Sequence, residues 1–344
     1  MRALVTGATG LVGYHIAERL LADGWETRAL VRAATADLRL NGLELHTGDV
    51  LDAASIARAA RGCDALFHAA AAVSPRGGWD AFRRTNIEGT SNIVTAARET
   101  GVRLAHISSV AVYGARERYR ADGPTHEDVT LGPLPEHAHY ARSKRESENL
   151  VLGAHARGEI WATAIRPCVI YGRRDRQFIP RVGRILRFGL APVPGGGGST
   201  IAIVHAASVA DAAVRAVVRD IAGGRAYNAT NDFDVTVLDF FRLAAQGLDQ
   251  RIRMVGIPTW LLELAFRIVF EIRALIGAGT AAVSSQAAVD LLTRDNPFTS
   301  RRAREELGWS PPVRPEIGIP EAFRWWRERG RPGRATLRAE PATS

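Results

Sequence analysis

Tyr140 and Lys144, in Tyr140-Ala141-Arg142-Ser143-Lys144, are the residues whose types and spacing most directly suggest chemistry. Side chains four apart share one helix face, so the ammonium is expected beneath the phenol. A cation there favours phenolate and draws the tyrosine pKa from about 10 toward neutrality, which makes Tyr140 an acid or base. An exposed Tyr–Lys pair on a helix is the plainer alternative. Lys144 is the single lysine of the chain, against 44 arginines. A GC-rich codon usage explains the excess of arginine, and a lysine that survives it stands where a guanidinium cannot substitute. A hydroxyl partner is offered by Ser108-Ser109-Val110-Ala111-Val112-Tyr113-Gly114, just past the apolar run Arg103 to Ile107. At the carboxyl end of a strand it faces the ligand crevice and can bond the oxygen whose proton Tyr140 handles; Ser109 is the choice and Ser108 the fallback.

A second constellation is Thr6-Gly7-Ala8-Thr9-Gly10-Leu11-Val12-Gly13, between the first apolar run and a helical stretch ending near Ala22. Gly7, Gly10 and Gly13 allow a tight turn, a close approach of backbone to a pyrophosphate and close helix–strand packing; Thr9, Leu11 and Val12 lie between them at the helix start. About twenty residues on, where an acidic side chain would hold the ribose hydroxyls of NAD, stands Arg32. A guanidinium there grips a 2′-phosphate bidentately and favours NADP. Arg39 either assists or is a solvated surface residue. Asp49 follows the third run, either accepting the adenine amino group or capping the helix expected near Ala53.

These groups need elements to hold them. Arg2 to Thr6, Thr27 to Val31, Leu43 to Thr47, Ala65 to His68, Arg103 to Ile107 and Trp161 to Ile165 read as strands, each followed by a stretch of helical length. Continuous apolar strands alternating with helices imply an α/β, doubly wound parallel sheet covered on both faces. After Arg166-Pro167 the rhythm loosens, with a strand at Ile201 to Val204 and a smaller α+β substrate region. The expected division is a dinucleotide-binding unit over 1–170, to which about 201–230 returns, a substrate region over 171–330, and a mobile tail over 331–344.

Hydrophobic residues at 46% and charged residues at 24% exclude disordered and collagen-like classes. Cys63 and Cys168 fit neither a disulfide framework nor a metal site, so no metal is expected and a reducing cytoplasm is. No export leader is visible. The net charge of +9 is spread along the chain without aromatic-basic modules, which argues against nucleic acid. Pro258 to Ile276 is apolar around most of its circumference, with Trp260, Phe266 and Phe270 and a narrow stripe of Glu263, Arg267 and Glu271. At about 28 Å it is interrupted by charge and does not span a bilayer; it is a core helix, a lid over an apolar substrate, or a membrane-surface patch.

Thr6 to Gly13, His68-Ala69-Ala70-Ala71, Asn86 within Thr85-Asn86-Ile87-Glu88-Gly89-Thr90, Ser109 to Gly114, Tyr140 to Lys144, and Arg166-Pro167 with Val169-Ile170-Tyr171-Gly172 together resemble the extended short-chain dehydrogenase/reductase (NAD-dependent epimerase/dehydratase) family, over about residues 1–330. The resemblance is strongest to the branch of 3β-hydroxysteroid dehydrogenase and dihydroflavonol reductase. It implies a Rossmann fold, a catalytic set of Ser109, Tyr140 and Lys144, and Asn86 at a helix kink on the proton path to Lys144. It also implies that Asp49 and Val50 meet the adenine, that Ala69, Ala70 and Ala71 line the cofactor edge, and that Pro167 and Val169 contact the nicotinamide. Family likeness further suggests a homodimer through the helices bearing Asn86 and Tyr140. Family dehydratases carry an Asp-Glu pair where this chain has Val110-Ala111, so elimination loses its acid and base. The expected function is NADPH-dependent interconversion of a ketone and a secondary alcohol on a small apolar substrate. A nucleotide-sugar epimerase and a non-catalytic NADP-binding sensor or interaction protein are the alternatives.

Overall fold

Strands that are apolar on both faces need helices on both faces, and the chain supplies them in alternation. The computed structural model describes residues 1–33, 38–73, 77–114, 123–275 and 285–329. Its first half runs β1 (Arg2–Thr6), α1 (Leu11–Ala22), β2 (Glu26–Val31), β3 (Leu43–Thr47), α2 (Ala53–Ala60), β4 (Ala65–His68), α3 (Gly78–Phe82), α4 (Gly89–Thr100), β5 (Arg103–Ile107), α5 (His139–Ala156) and β6 (Ala162–Pro167). A π-helical turn, Arg83–Glu88, joins α3 to α4. The second half continues with β7 (Val169–Tyr171), α6 (Phe178–Leu186), β8 (Leu190–Pro194), β9 (Ile203–His205), α7 (Ala206–Val217), β10 (Ala226–Ala229), α8 (Val237–Leu248) and β11 (Arg253–Ile257). It ends with α9 (Thr259–Leu275), α10 (Ser285–Thr293), α11 (Arg301–Leu307) and α12 (Pro315–Arg329).

Seven parallel strands form the main sheet in the order β10-β6-β5-β4-β1-β2-β3. Successive residues of β1 serve opposite faces: Ala3 and Val5 join Ile16, Leu20 and Phe67 on the α1 side. Leu4 joins Ile56, Leu66, Ile93 and Leu104 on the α2–α4 side. Each fully buried Leu, Ile or Phe of these layers contributes roughly 1.5–3 kcal/mol. A third cluster, with Tyr171, Phe240, Phe241, Ile319 and Phe323, holds α8 and α12 against the small strands.

Several expectations shift. The sixth strand starts at Ala162, leaving Trp161 half-buried outside it, under the Arg103 guanidinium. β3 is the sheet edge and has no buried residue, because only β2 pairs with it. The strand expected at Ile201 to Val204 forms at Ile203–His205 and pairs with β7 in a separate two-stranded sheet. The chain instead rejoins the main sheet through α7, packed on α1, and β10, paired with β6. On α9 only Leu262 is buried among the described side chains, while Trp260, Leu261, Leu264 and Ile268 are exposed, so a core helix is not what this segment forms there. The side chains of Phe266 and Phe270, and residues 331–344, lie outside the described residues. Among the described residues no helix is long and apolar enough to cross a membrane, and no cluster of His, Cys, Asp and Glu could hold a metal.

Candidate active site

In a parallel sheet every strand ends on the same edge, so β1, β2, β3, β4, β5 and β6 deliver Gly7, Arg32, Asp49, Ala69, Ser108 and Val169 to one side of the molecule. The strand order reverses beside β1, whose neighbours are β2 and β4, and the crevice of such a sheet opens there. The glycine loop follows β1. Gly7 adopts φ +74°, and a Cβ on it would lie 2.6 Å from the Ala70 nitrogen. A Cβ on Gly13 would stand 2.3 Å from the Gly7 carbonyl oxygen, so both glycines are demanded by packing of loop, helix and strand. Gly10 is exposed, donates its N–H to the Gly7 carbonyl at 2.8 Å, and opens α1 with no side-chain cap. The first-turn N–H groups and positive dipole end of α1 therefore face outward beside Thr9, Leu11 and Val12, an arrangement that fits a pyrophosphate.

Gly48 donates its N–H to the Val31 carbonyl at 2.9 Å, which ties the start of the Asp49 loop to the end of β2 beside exposed Arg32. Asp49 is half-buried, and its Oδ1 accepts from the Leu51 N–H at 3.0 Å. It does not cap the following helix: Asp52 does, accepting from Ala54 and Ser55 N–H at 3.0 and 3.2 Å. The cap falls at the residue directly before the helix, where an oxygen can reach those donors. Val50 packs against Gly89, and its carbonyl accepts from Asn92.

Ser109 is extended, half-exposed, and accepts from the Ala111 N–H at 3.1 Å, and its hydroxyl lies close enough to the Tyr140 phenol to lower that group's pKa. Ser108 points into the fold and is buried with no hydrogen-bond partner for its Oγ. Asn86, in the π-helical turn, donates through Nδ2 to the Ala72 carbonyl and to Ser143 Oγ, each at 2.9 Å, and accepts from the Ala72 N–H at 2.7 Å. Ser143 Oγ in turn donates to the Tyr140 carbonyl at 2.9 Å. Asn86 thus pins the strand end after Ala69–Ala71 to the first turn of α5.

Lys144 has a partner that its helical spacing does not give. Its Nζ donates to the Ile107 carbonyl at the end of β5, at 2.6 Å, and the side chain is buried. Helical spacing fixes the face of a residue, but a desolvated ammonium on a flexible stem goes to the strongest acceptor in reach, here a strand carbonyl. Burial pushes the Tyr140 phenol above its ordinary value and the Ser109 hydroxyl draws it back. Burial draws Lys144 down to about 8, opposed by the negative charge of Glu148.

Beneath this set lies a buried network that the sequence does not reveal. The Arg166 guanidinium pairs with Glu148, Nη2 to Oε1 at 2.6 Å, and donates to the Tyr113 hydroxyl at 2.9 Å. That hydroxyl donates to Asn228 Oδ1 at 2.7 Å, and the Asn228 N–H reaches Glu127 Oε1 at 2.7 Å. Only the i, i+4 spacing of Lys144 and Glu148 was a local signal; the other partners come from β6, β10 and separate loops.

Comparison with known proteins agrees with this architecture. A family model described as NAD dependent epimerase/dehydratase matches residues 3–230. The chain is 30% identical over 325 residues to a 4-hydroxy-2-methyl-3-oxo-4-farnesyl-3,4-dihydroquinoline-1-oxide ketoreductase of Stigmatella aurantiaca, covering 93% of this chain and 95% of the relative. It is 27% identical to a 2-alkyl-3-oxoalkanoate reductase of Stenotrophomonas maltophilia, covering 93% and 97%. Among solved structures, UDP-glucuronic acid 4-epimerase from Bacillus cereus in complex with NAD shares the fold, with a TM-score of 0.72, 17% identity, and 96% and 100% coverage. The glycine loop at the reversal of the sheet, the Ser109–Tyr140 contact and these matches agree: the chain belongs to the NAD dependent epimerase/dehydratase family, as an extended short-chain dehydrogenase/reductase.

Proposed function

We propose that this chain is an NADPH-dependent oxidoreductase that interconverts a ketone and a secondary alcohol on an apolar substrate, with Ser109, Tyr140 and Lys144 as its catalytic residues. The observation that carries the reading is the Ser109 hydroxyl beside the Tyr140 phenol, on the edge that bears the glycine loop. The ketoreductase and 3-oxoalkanoate reductase relatives, whose names carry a farnesyl and an alkyl group, support the apolar substrate class. So does the exposed apolar face of α9 with Trp260, Leu261, Leu264 and Ile268, a surface for a greasy chain or for a membrane that supplies one.

In this reading Gly7, Gly10 and Gly13 with Thr9, Leu11 and Val12 hold the pyrophosphate, Arg32 the 2′-phosphate, Asp49 and Val50 the adenine, and Ala69, Ala70, Ala71, Pro167 and Val169 the remaining edge. The dinucleotide supplies hydride when bound. Ser109 fixes the substrate oxygen beside the phenol, and Tyr140 delivers or removes its proton. Lys144 keeps a positive charge at the end of β5, favouring the proton's departure, and Asn86 sets the angle of α5 through Ser143.

The test is NADPH oxidation by the purified chain against sterol, 2-alkyl-3-oxoacyl and sugar ketones. Turnover on the apolar ketones is expected, and Tyr140→Phe is expected to lower it about a hundredfold or more with NADPH affinity little changed. Copurified NAD with no net turnover on any ketone would replace this reading with the epimerase one.

A further inference from the structure

His68, the last residue of β4, is buried between the glycine loop and the π-helical turn and has no part in the chemistry above. Its Nδ1 lies 2.8 Å from Thr6 Oγ1 and its Nε2 lies 3.0 Å from Thr90 Oγ1. The outer partners fix which nitrogen carries the proton. Thr90 Oγ1 gives its hydrogen to the Asn86 carbonyl at 2.6 Å, so it accepts from Nε2–H. Thr6 Oγ1 accepts from the Ala70 N–H at 3.4 Å, which leaves its hydrogen for Nδ1. The result is one directed path: Ala70 N–H to Thr6 to His68 Nδ1, then His68 Nε2–H to Thr90 to the Asn86 carbonyl. Burial and the nearby charge of Lys144 hold the imidazole at a pKa of about 3, so the ring stays neutral with one donor and one acceptor.

The ends of this path are the two parts that the site must keep in register. Thr6 closes β1, directly before Gly7, and Ala70 is the backbone that leaves no room for a side chain at Gly7. Asn86 bonds Ser143 and, through it, the turn of α5 that presents Tyr140. We propose that His68 is a positioning residue that locks the glycine loop to the turn carrying Asn86, with Nδ1 holding the dinucleotide side and Nε2 holding the Tyr140 side. The inference rests on reading this edge as a dinucleotide site.

Asparagine places a polar atom near the Nδ1 position of histidine and glutamine places one near Nε2, so His68→Asn and His68→Gln each keep one half of the bridge. The experiment is NADPH titration by fluorescence together with amide hydrogen exchange over residues 6–13 and 83–90 in both variants and the wild type. His68→Gln is expected to weaken NADPH binding roughly tenfold and to speed exchange in 6–13 while leaving 83–90 as in the wild type. His68→Asn is expected to speed exchange in 83–90 roughly tenfold while leaving NADPH affinity within about twofold of the wild type. Should either variant fail to fold, Thr6→Val replaces His68→Gln and Thr90→Val replaces His68→Asn, since each cuts the same half from its far end. If both halves loosen together in both variants, or neither loosens, His68 is a packing residue and the inference is overturned. A wild-type chain that binds no NADPH would overturn the reading of the site and the inference with it; binding by the wild type without the split overturns the inference alone.

Discussion

Replacing Lys144 by methionine isolates the cost of burying the chain's single ammonium. In the folded chain Lys144 releases its proton at about 8, against an ordinary 10.5. Between those values the unfolded chain still holds a proton that the folded chain has lost, so the unfolded state binds more protons and stability rises with pH. The difference, at about 1.36 kcal/mol for each pKa unit, amounts to about 3 kcal/mol across the window. Below pH 8 both states are protonated, and the group contributes no slope. Methionine also removes the hydrogen bond to the Ile107 carbonyl, but that loss shifts the whole curve and leaves its slope alone. The assay is urea unfolding of wild type and Lys144→Met at half-unit steps from pH 6.5 to 10.5, plotted as the difference between them. The wild type is expected to run parallel to the variant up to about pH 7.5 and then to gain about 3 kcal/mol on it by pH 10.5. Parallel curves throughout would show that Lys144 titrates as an ordinary surface lysine, and the buried ammonium would fall with them.

Arg32→Asp removes the proposed 2′-phosphate grip and is expected to move selectivity from NADPH toward NADH, read as the ratio of kcat/KM values; an unchanged ratio removes Arg32 from the cofactor reading. Gly13→Ala forces a methyl to within 2.3 Å of the Gly7 carbonyl oxygen and is expected to cost about 2–3 kcal/mol in urea unfolding and to abolish NADPH binding. Glu148→Gln leaves the Arg166 guanidinium buried without its carboxylate and is expected to destabilise the fold by about 3 kcal/mol. Because Glu148 holds the Lys144 pKa up, the same variant is expected to start the alkaline rise in stability at a lower pH than the wild type.

The sheet was legible because strands covered on both faces leave unbroken apolar runs, as at Leu4-Val5 and Ala105-His106-Ile107, the last with only a buried histidine to interrupt it. The pairing of β9 with β7 was not, since a three-residue strand carries no mark of its partner. Tyr140, Lys144 and the glycines stood out through spacing within one element, which local geometry governs. The direction of the Lys144 ammonium and the partners of Arg166 and His68 depend on atoms 18 to 62 positions away, and no local pattern encodes them. Asp49 and Asp52 show the same divide on a small scale: both are acids before a helix, and only backbone direction decides which one caps it.

One ε-amine in the whole chain, and that one 2% exposed, makes Lys144 an internal clock. An acylating reagent in solution meets it only when β5 and α5 part, so the rate of its modification counts excursions of the catalytic helix from the sheet. Any ligand that clamps this edge slows the clock, and binding becomes measurable by mass at a single position without a substrate in hand.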